Sequence, residues 1–242
     1  MTRPETLWVG SPHHESGRRG RHLSGIVCHI MEGSLAGCDS WFNNPASGVS
    51  AHYGIGKDGT IHQYVRDEDT AWANGKPNHP DLSIGWLNDL LSRGGNPNHV
   101  TISIENEGFT GDEMPEAQYQ ANLALTRALL DENGLPPDDQ HVIGHNRIDS
   151  RNRAHCPGTG FPWERLFADL NAPSELVVEP EGTTDAGGVG EEPPAPDDLT
   201  LIFNRAGDIY NEADRPACET SPNVIRGLAL EVQEAVNRLK GV

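Results

Sequence analysis

The chain has 242 residues, enough for one good-sized domain or a domain with an appendage, but only 35% are hydrophobic, low for a chain folded throughout. A formal net charge of −18 disfavours nucleic acid as a partner, because a phosphate backbone needs a basic footprint, and it disfavours adhesion to an anionic membrane surface. No run approaches the roughly 20 apolar residues of a membrane span, and the opening stretch MTRPETLWVGSPHHESGRRGR lacks the apolar centre of a signal peptide, so the expectation is a chain that is cytoplasmic as synthesised and does not insert into membranes.

In chain order, the first clear element is GIVCHI, residues 25–30. Its alternation puts Ile26, Cys28 and Ile30 on one face of a strand and Val27 and His29 on the other. SAHYGIG then leads through Lys57-Asp58-Gly59 into TIHQYV, two alternating runs about a turn signal, which predicts a hairpin. The same region spells Gly54-x-Gly56-x-x-Gly59. A dinucleotide-binding role is rejected, since that motif needs a strand, a turn and then a helix, and here a strand pattern follows. HVTISIENEG, residues 99–108, predicts a strand with Val100, Ile102 and Ile104 on one face and Thr101, Ser103 and Glu105 on the other. A helix follows over EAQYQANLALTRALLDEN, with Pro115 in its first turn and Gly134 just past its end. GFPWERLFADL predicts a closing helix. Alternating strands and helices up to about residue 172 argue for one α/β domain.

Residues 173–199 carry eight acids and no Lys or Arg, among many Pro and Gly. Such a stretch buries too little apolar area to offset its ordering entropy, so 173–198 is expected to be a linker. Beyond it, 199–242 is expected to be a small appendage. Its strand LTLIFN would precede a helix over 224–240, whose apolar face (Val224, Leu228, Val232, Val236, Leu239) would dock or mediate self-association. The spacing of the four cysteines, Cys28, Cys38, Cys156 and Cys218, shows no dense disulfide framework, although two of them could pair.

HExxH, GxSxG and GxxxxGK[ST] are absent. What remains is scattered His, Cys and Glu. Catalytic zinc sites use three protein ligands plus water, often two from one loop and one from a distant strand. His29 with His145 and Cys156 fits that pattern, but on spacing alone His141 could replace His145, and each residue taken singly could be structural. His155 adjoins Cys156, and neighbours seldom both ligate one metal. His13, His14 and His22 are expected to be solvated in a polar arm, and His62, His79 and His99 to lie at the surface or in hydrogen bonds.

Six short strings occur together: IVCHIMEGS (26–34), VSAHYGIGKDGTIHQYV (49–65), the AW of TAWANG (70–75), TISIENEG (101–108), HVIGHN (141–146) and CPG (156–158). In that order they resemble the type-2 N-acetylmuramoyl-L-alanine amidases, over roughly residues 7–170. The resemblance implies a central mixed β-sheet flanked by helices, with a Zn²⁺ site at one end. It implies that His29, His145 and Cys156 are the zinc ligands and Glu105 the acid/base. His52 and Trp72 would line the substrate site. The implied partner is bacterial peptidoglycan, cut at the amide between N-acetylmuramic acid and L-alanine. One departure stands out. Many members of the family carry Lys two residues before the third ligand, where this chain has Ala154, and Arg153 and His155 are the nearby candidates for holding the oxyanion. The absent signal peptide and the appendage favour a phage or prophage endolysin released through a holin. A cytoplasmic muropeptide-recycling amidase and a non-catalytic peptidoglycan-binding module are the alternatives, and the presence of Cys156 favours an enzyme.

Overall fold

A computed structural model describes residues 3–172 of the chain. The expected linker, the strand at 199–204 and the helix at 224–240 lie outside the described residues.

The elements are β1 (Leu7–Trp8), β2 (His14–Glu15), β3 (Gly25–Ile30), α1 (Leu35–Asn43), β4 (Tyr53–Ile55), β5 (Ile61–Gln63), β6 (Thr70–Ala71), α2 (Gly85–Ser92), β7 (Thr101–Asn106), α3 (Glu116–Asn133), β8 (Val142–Gly144) and α4 (Trp163–Asn171). Single 3-10 turns at Pro97–Val100 and His145–Arg147 flank β7 and β8. Six strands form the main sheet in the order β1-β5-β4-β7-β3-β8, and β2 pairs with β6 in a small antiparallel ribbon. The sheet is mixed. β3, β4, β7 and β8 run parallel, and β5 is antiparallel to β4.

Both faces are covered. Ile26, Cys28, Ile102 and Ile104 pack under α3 and α4, with Leu125, Leu129, Leu166 and Leu170. On the opposite face Val27 and Ile143 pack against Ile84 and Leu87 of the α2 region. This is the parity read from the two strand sequences. The architecture is therefore the central mixed sheet flanked by helices that the sequence led one to expect. No helix among the described residues is long and apolar enough to cross a membrane.

The predicted hairpin is present, with Ile55 opposite Ile61 and the turn closed by Gly56 N–H to Thr60 O at 2.9 Å. Gly59 sits at φ 89°, a left-handed conformation suited to glycine. Gly134 ends α3 at φ 64°, as its position suggested. Pro115 stands one residue earlier than expected, as the N-cap of α3. Val100 does not join the strand. Asn96 accepts the Asn98 N–H through its side chain, and Pro97 opens a 3-10 turn, so β7 starts at Thr101. Helix α1 is capped by Ser34, whose Oγ accepts the Gly37 N–H at 3.1 Å.

The N-terminal arm departs from the expectation of a solvated segment. His13 is buried, with Nε2 2.7 Å from Asn44 O. Arg18 is buried too, donating to Asp67 O (2.6 Å) and Thr101 O (3.0 Å). Buried carbonyls need donors, and a guanidinium supplies several in one plane. His14 and His22 are exposed.

The loop after β8 folds back on the strand. Asn146 N–H donates to Cys156 O at 3.1 Å, which brings Cys156 and Pro157 over Gly144. A Cβ on Gly144 would lie 2.5 Å from Asn146 Oδ1, 2.7 Å from Pro157 Cδ and 3.2 Å from Cys156 O. Gly144→Ala is therefore expected to push the Cys156 loop off the sheet and destabilise the fold by about 1–3 kcal/mol, read by chemical denaturation. An unchanged midpoint and slope would contradict this packing.

Candidate metal centre and active site

Three parallel strands deliver three side chains to one place. His29 is the fifth residue of β3, Glu105 the fifth of β7, and His145 follows the last residue of β8. The register pairs His29 directly with Glu105. Carboxyl ends of parallel strands are where α/β sheets gather ligands. Cys156 arrives on the loop, which is coiled by Asp149 N–H to His145 O (3.0 Å), Arg153 N–H to Asp149 O (3.0 Å) and Cys156 N–H to Arg153 O (3.0 Å).

One ligand atom each from His29, His145 and Cys156 lie within 4.8 Å of one another. The two imidazole centroids are 4.5 Å apart. His145 Nε2 is 3.2 Å from Asn74 O. A carbonyl only accepts, so Nε2 carries the proton and Nδ1 keeps its lone pair free. Glu105 Oε1 is 3.9 Å from His29 Nδ1, and its Oε2 is buried with no hydrogen-bond partner.

Burial dominates the electrostatics. It lowers the His29 pKa well below the usual range, with His145 and Arg153 adding to the effect. It lowers His145 to about 4; the Asn74 carbonyl opposes this and Arg153 adds to it. It pushes the Cys156 thiol up. It raises Glu105 to about 8, against the pull of Arg153. Two neutral imidazoles and a thiol that can release its proton form the donor set that suits zinc, and the orphaned carboxylate oxygen beside them adds unmet bonding capacity at the same spot. The residues fit a bound zinc ion.

The structure brings together His29, His145, Cys156 and Glu105. Arg153 is exposed on the loop that carries Cys156, and its charge acts on all four. His155 is exposed on the loop. His141, left open beside His145 by spacing, pairs instead with Asp138 at 2.6 Å and precedes β8, at the far end of that strand. His52 is buried; its Nδ1 accepts the Ser103 N–H at 3.0 Å and its Nε2 lies 3.2 Å from Asp69 O. Burial, then Arg18, lowers its pKa to about 3. Trp72 is partly exposed, its ring centroid 5.9 Å from that of His13. Asn74, two residues on from Trp72, escaped the sequence reading. A lone Asn in TAWANG gives no chemical signal, and only its contact with His145 reveals it.

Residues 19–159 match the Amidase_2 family, described as N-acetylmuramoyl-L-alanine amidase. Among curated proteins, N-acetylmuramoyl-L-alanine amidase A of Achromobacter lyticus is 30% identical over 186 residues, covering 69% of this chain and 94% of that protein. The 1,6-anhydro-N-acetylmuramyl-L-alanine amidase AmpD of Escherichia coli K12 is 34% identical over 118 residues, 49% of this chain and 56% of that protein. Among solved structures, a selenomethionine derivative of AmpD aligns with TM-score 0.55 and 27% identity over 70% of this chain and 99% of that one. A mutant of PlyL aligns with TM-score 0.51 at 15% identity, covering 70% of this chain and all of that one, a likeness of fold alone. With the family match running through most of the described residues and through every string that carried the resemblance, the chain belongs to the Amidase_2 family and is an N-acetylmuramoyl-L-alanine amidase.

Proposed function

We propose that this amidase is zinc-dependent and cuts the amide between the lactyl group of N-acetylmuramic acid and L-alanine in peptidoglycan. The observation that carries the reading is the convergence of His29, His145 and Cys156 ligand atoms within 4.8 Å, beside Glu105. On this reading those three side chains hold the ion. When bound, zinc supplies Lewis acidity, lowering the pKa of water toward ~7 and polarising a carbonyl.

The chain's own residues do the rest. Glu105 takes a proton on its carboxylate from the attacking water and returns it to the departing nitrogen of L-alanine. Its place at the end of β7, across from His29, supports that role. Arg153 immediately precedes Ala154, which takes the place of the family's Lys, and offers a permanent charge to the developing oxyanion. His155, exposed next to Cys156, is a second candidate for that contact. Trp72 offers an apolar face along the groove that receives the glycan and stem peptide. His52, which accepts the Ser103 N–H, would line the site as the resemblance implies. Residues 1–172 are the catalytic unit in this scheme, followed by a linker at 173–198 and an appendage at 199–242 suited to wall binding or self-association.

Two settings share this chemistry. One is lysis of intact wall by an endolysin, and the other is recycling of soluble muropeptides, with AmpD named for the 1,6-anhydro-N-acetylmuramyl-L-alanine bond. Assays on intact peptidoglycan and on soluble anhydromuropeptides distinguish them by which is cut faster.

Metal content and release of L-alanine amino groups test the scheme together. Cys156→Ser is expected to lose zinc and activity together; a normal zinc content would dismiss Cys156 as a ligand. Glu105→Gln is expected to keep zinc and lose turnover by roughly 10²–10⁴-fold. Near-normal turnover would remove Glu105 from the proton path. Arg153→Ala is expected to keep zinc and lose roughly 10²-fold in kcat; full activity would dismiss Arg153.

A further inference from the structure

Asn74 is buried at 1% exposure and held on two sides. Its N–H donates to Asn98 Oδ1 at 2.9 Å, and its Nδ2 lies 2.9 Å from Thr101 Oγ1. The Thr101 hydroxyl donates its one proton to Pro97 O, also at 2.9 Å. Thr101 Oγ1 must therefore accept from Asn74, which fixes the amide NH₂ toward Thr101 and turns Oδ1 the other way. That Oδ1 is buried and accepts no hydrogen bond. His29 Nε2 is likewise buried without a partner, while His29 Nδ1 looks toward Glu105 at 3.9 Å. The His29 and His145 ring centroids are 4.5 Å apart. On the other histidine the pairing is already made, His145 Nε2 to Asn74 O at 3.2 Å.

Asn74 thus carries an orphaned acceptor and already bonds one imidazole, and the neighbouring imidazole carries an orphaned ring nitrogen. We propose that Asn74 is a positioning residue that accepts the Nε2 proton of both histidines, from His145 on its main-chain oxygen and from His29 on its side-chain oxygen, so that both Nδ1 lone pairs face the ion. The inference rests on the zinc reading above. Partners on the far nitrogen of a ligating histidine fix its tautomer and ring orientation, and their loss weakens metal binding. One asparagine would serve both rings by two chemically separate oxygens, and only one of these can be removed by substitution.

The test uses the full-length chain. Long-range ¹H–¹⁵N NMR of the metal-free protein reads the histidine tautomers, and competition with a chromophoric chelator reads zinc affinity. In the wild type both His29 and His145 are expected to carry the proton on Nε2. In Asn74→Ala, His145 is expected to stay in that form while His29 mixes tautomers, and zinc affinity falls by roughly 10–100-fold. Asn74→Asp, which keeps an acceptor at that place, is expected to bring the affinity back close to that of the wild type. A His29 proton on Nδ1 in the wild type overturns the proposal, as does an Asn74→Ala protein with unchanged tautomers and affinity. The wild-type tautomers need no variant, so the proposal stays testable even if Asn74→Ala does not fold. A wild type that shows both Nε2 tautomers but binds no zinc overturns the zinc reading alone and upholds the ring orientation by Asn74.

Discussion

Parallel pairing of β3 with β7, in register from Gly25 opposite Thr101 to Ile30 opposite Asn106, places His29 beside Glu105, and the rest of the site is arranged around that pair. β8 pairs along the other edge of β3 with Cys28 opposite Gly144, so His145 emerges level with His29. A slip of one residue in either pairing would turn a side chain to the opposite face of the sheet. Packing resists such a slip from both sides, with Ile26, Cys28, Ile102 and Ile104 under α3 and α4, and Val27 and Ile143 against α2. The apolar layers that stabilise the sheet are thus also what aligns the polar groups at its end.

Those polar groups are costly to bury and are supported accordingly. Asn106 shares strand parity with Ile104 and reaches back into the α3 side. Its Nδ2 donates to His29 O at 3.0 Å, its Oδ1 accepts from Asn122 Nδ2 at 2.9 Å, and Thr126 closes the chain on Asn122 at 3.3 Å. A polar thread thus runs from the middle of α3 to the backbone of a proposed ligand residue. On the opposite face Arg18 and His52 occupy carbonyls and the Ser103 N–H beneath the same strands. In the metal-free protein burial leaves the histidines neutral and the Cys156 thiol protonated, so taking up a divalent cation would release a proton and replace a desolvation cost with coordination.

Much of the fold was legible because its signals are local. Alternation in GIVCHI and TISIEN named the faces, Lys57-Asp58-Gly59 named the hairpin, and Gly134 named the end of α3. Boundaries were less legible where side chains compete for backbone groups. Asn96 and Pro97 draw Val100 into a turn, although Val100 remains buried. The N-terminal arm read as solvated because its polarity is plain in sequence, whereas the carbonyls that His13 and Arg18 satisfy belong to segments far along the chain.

By itself the sequence determined the strands, their faces, the ordered strings that resemble the amidases, and a shortlist of His, Cys and Glu. Spacing alone could not choose between His141 and His145, which share strand parity, and only the resemblance favoured His145. The tertiary structure separates the two, because they flank β8 at opposite ends and only the carboxyl end lies level with His29 and Glu105. It alone gave Asn74 a place, since a neutral amide acquires meaning only from what is buried against it. Periodicity along a chain fixes which way a side chain points, whereas convergence of side chains from β3, β7, β8 and a returning loop depends on strand order and register, which no local pattern encodes.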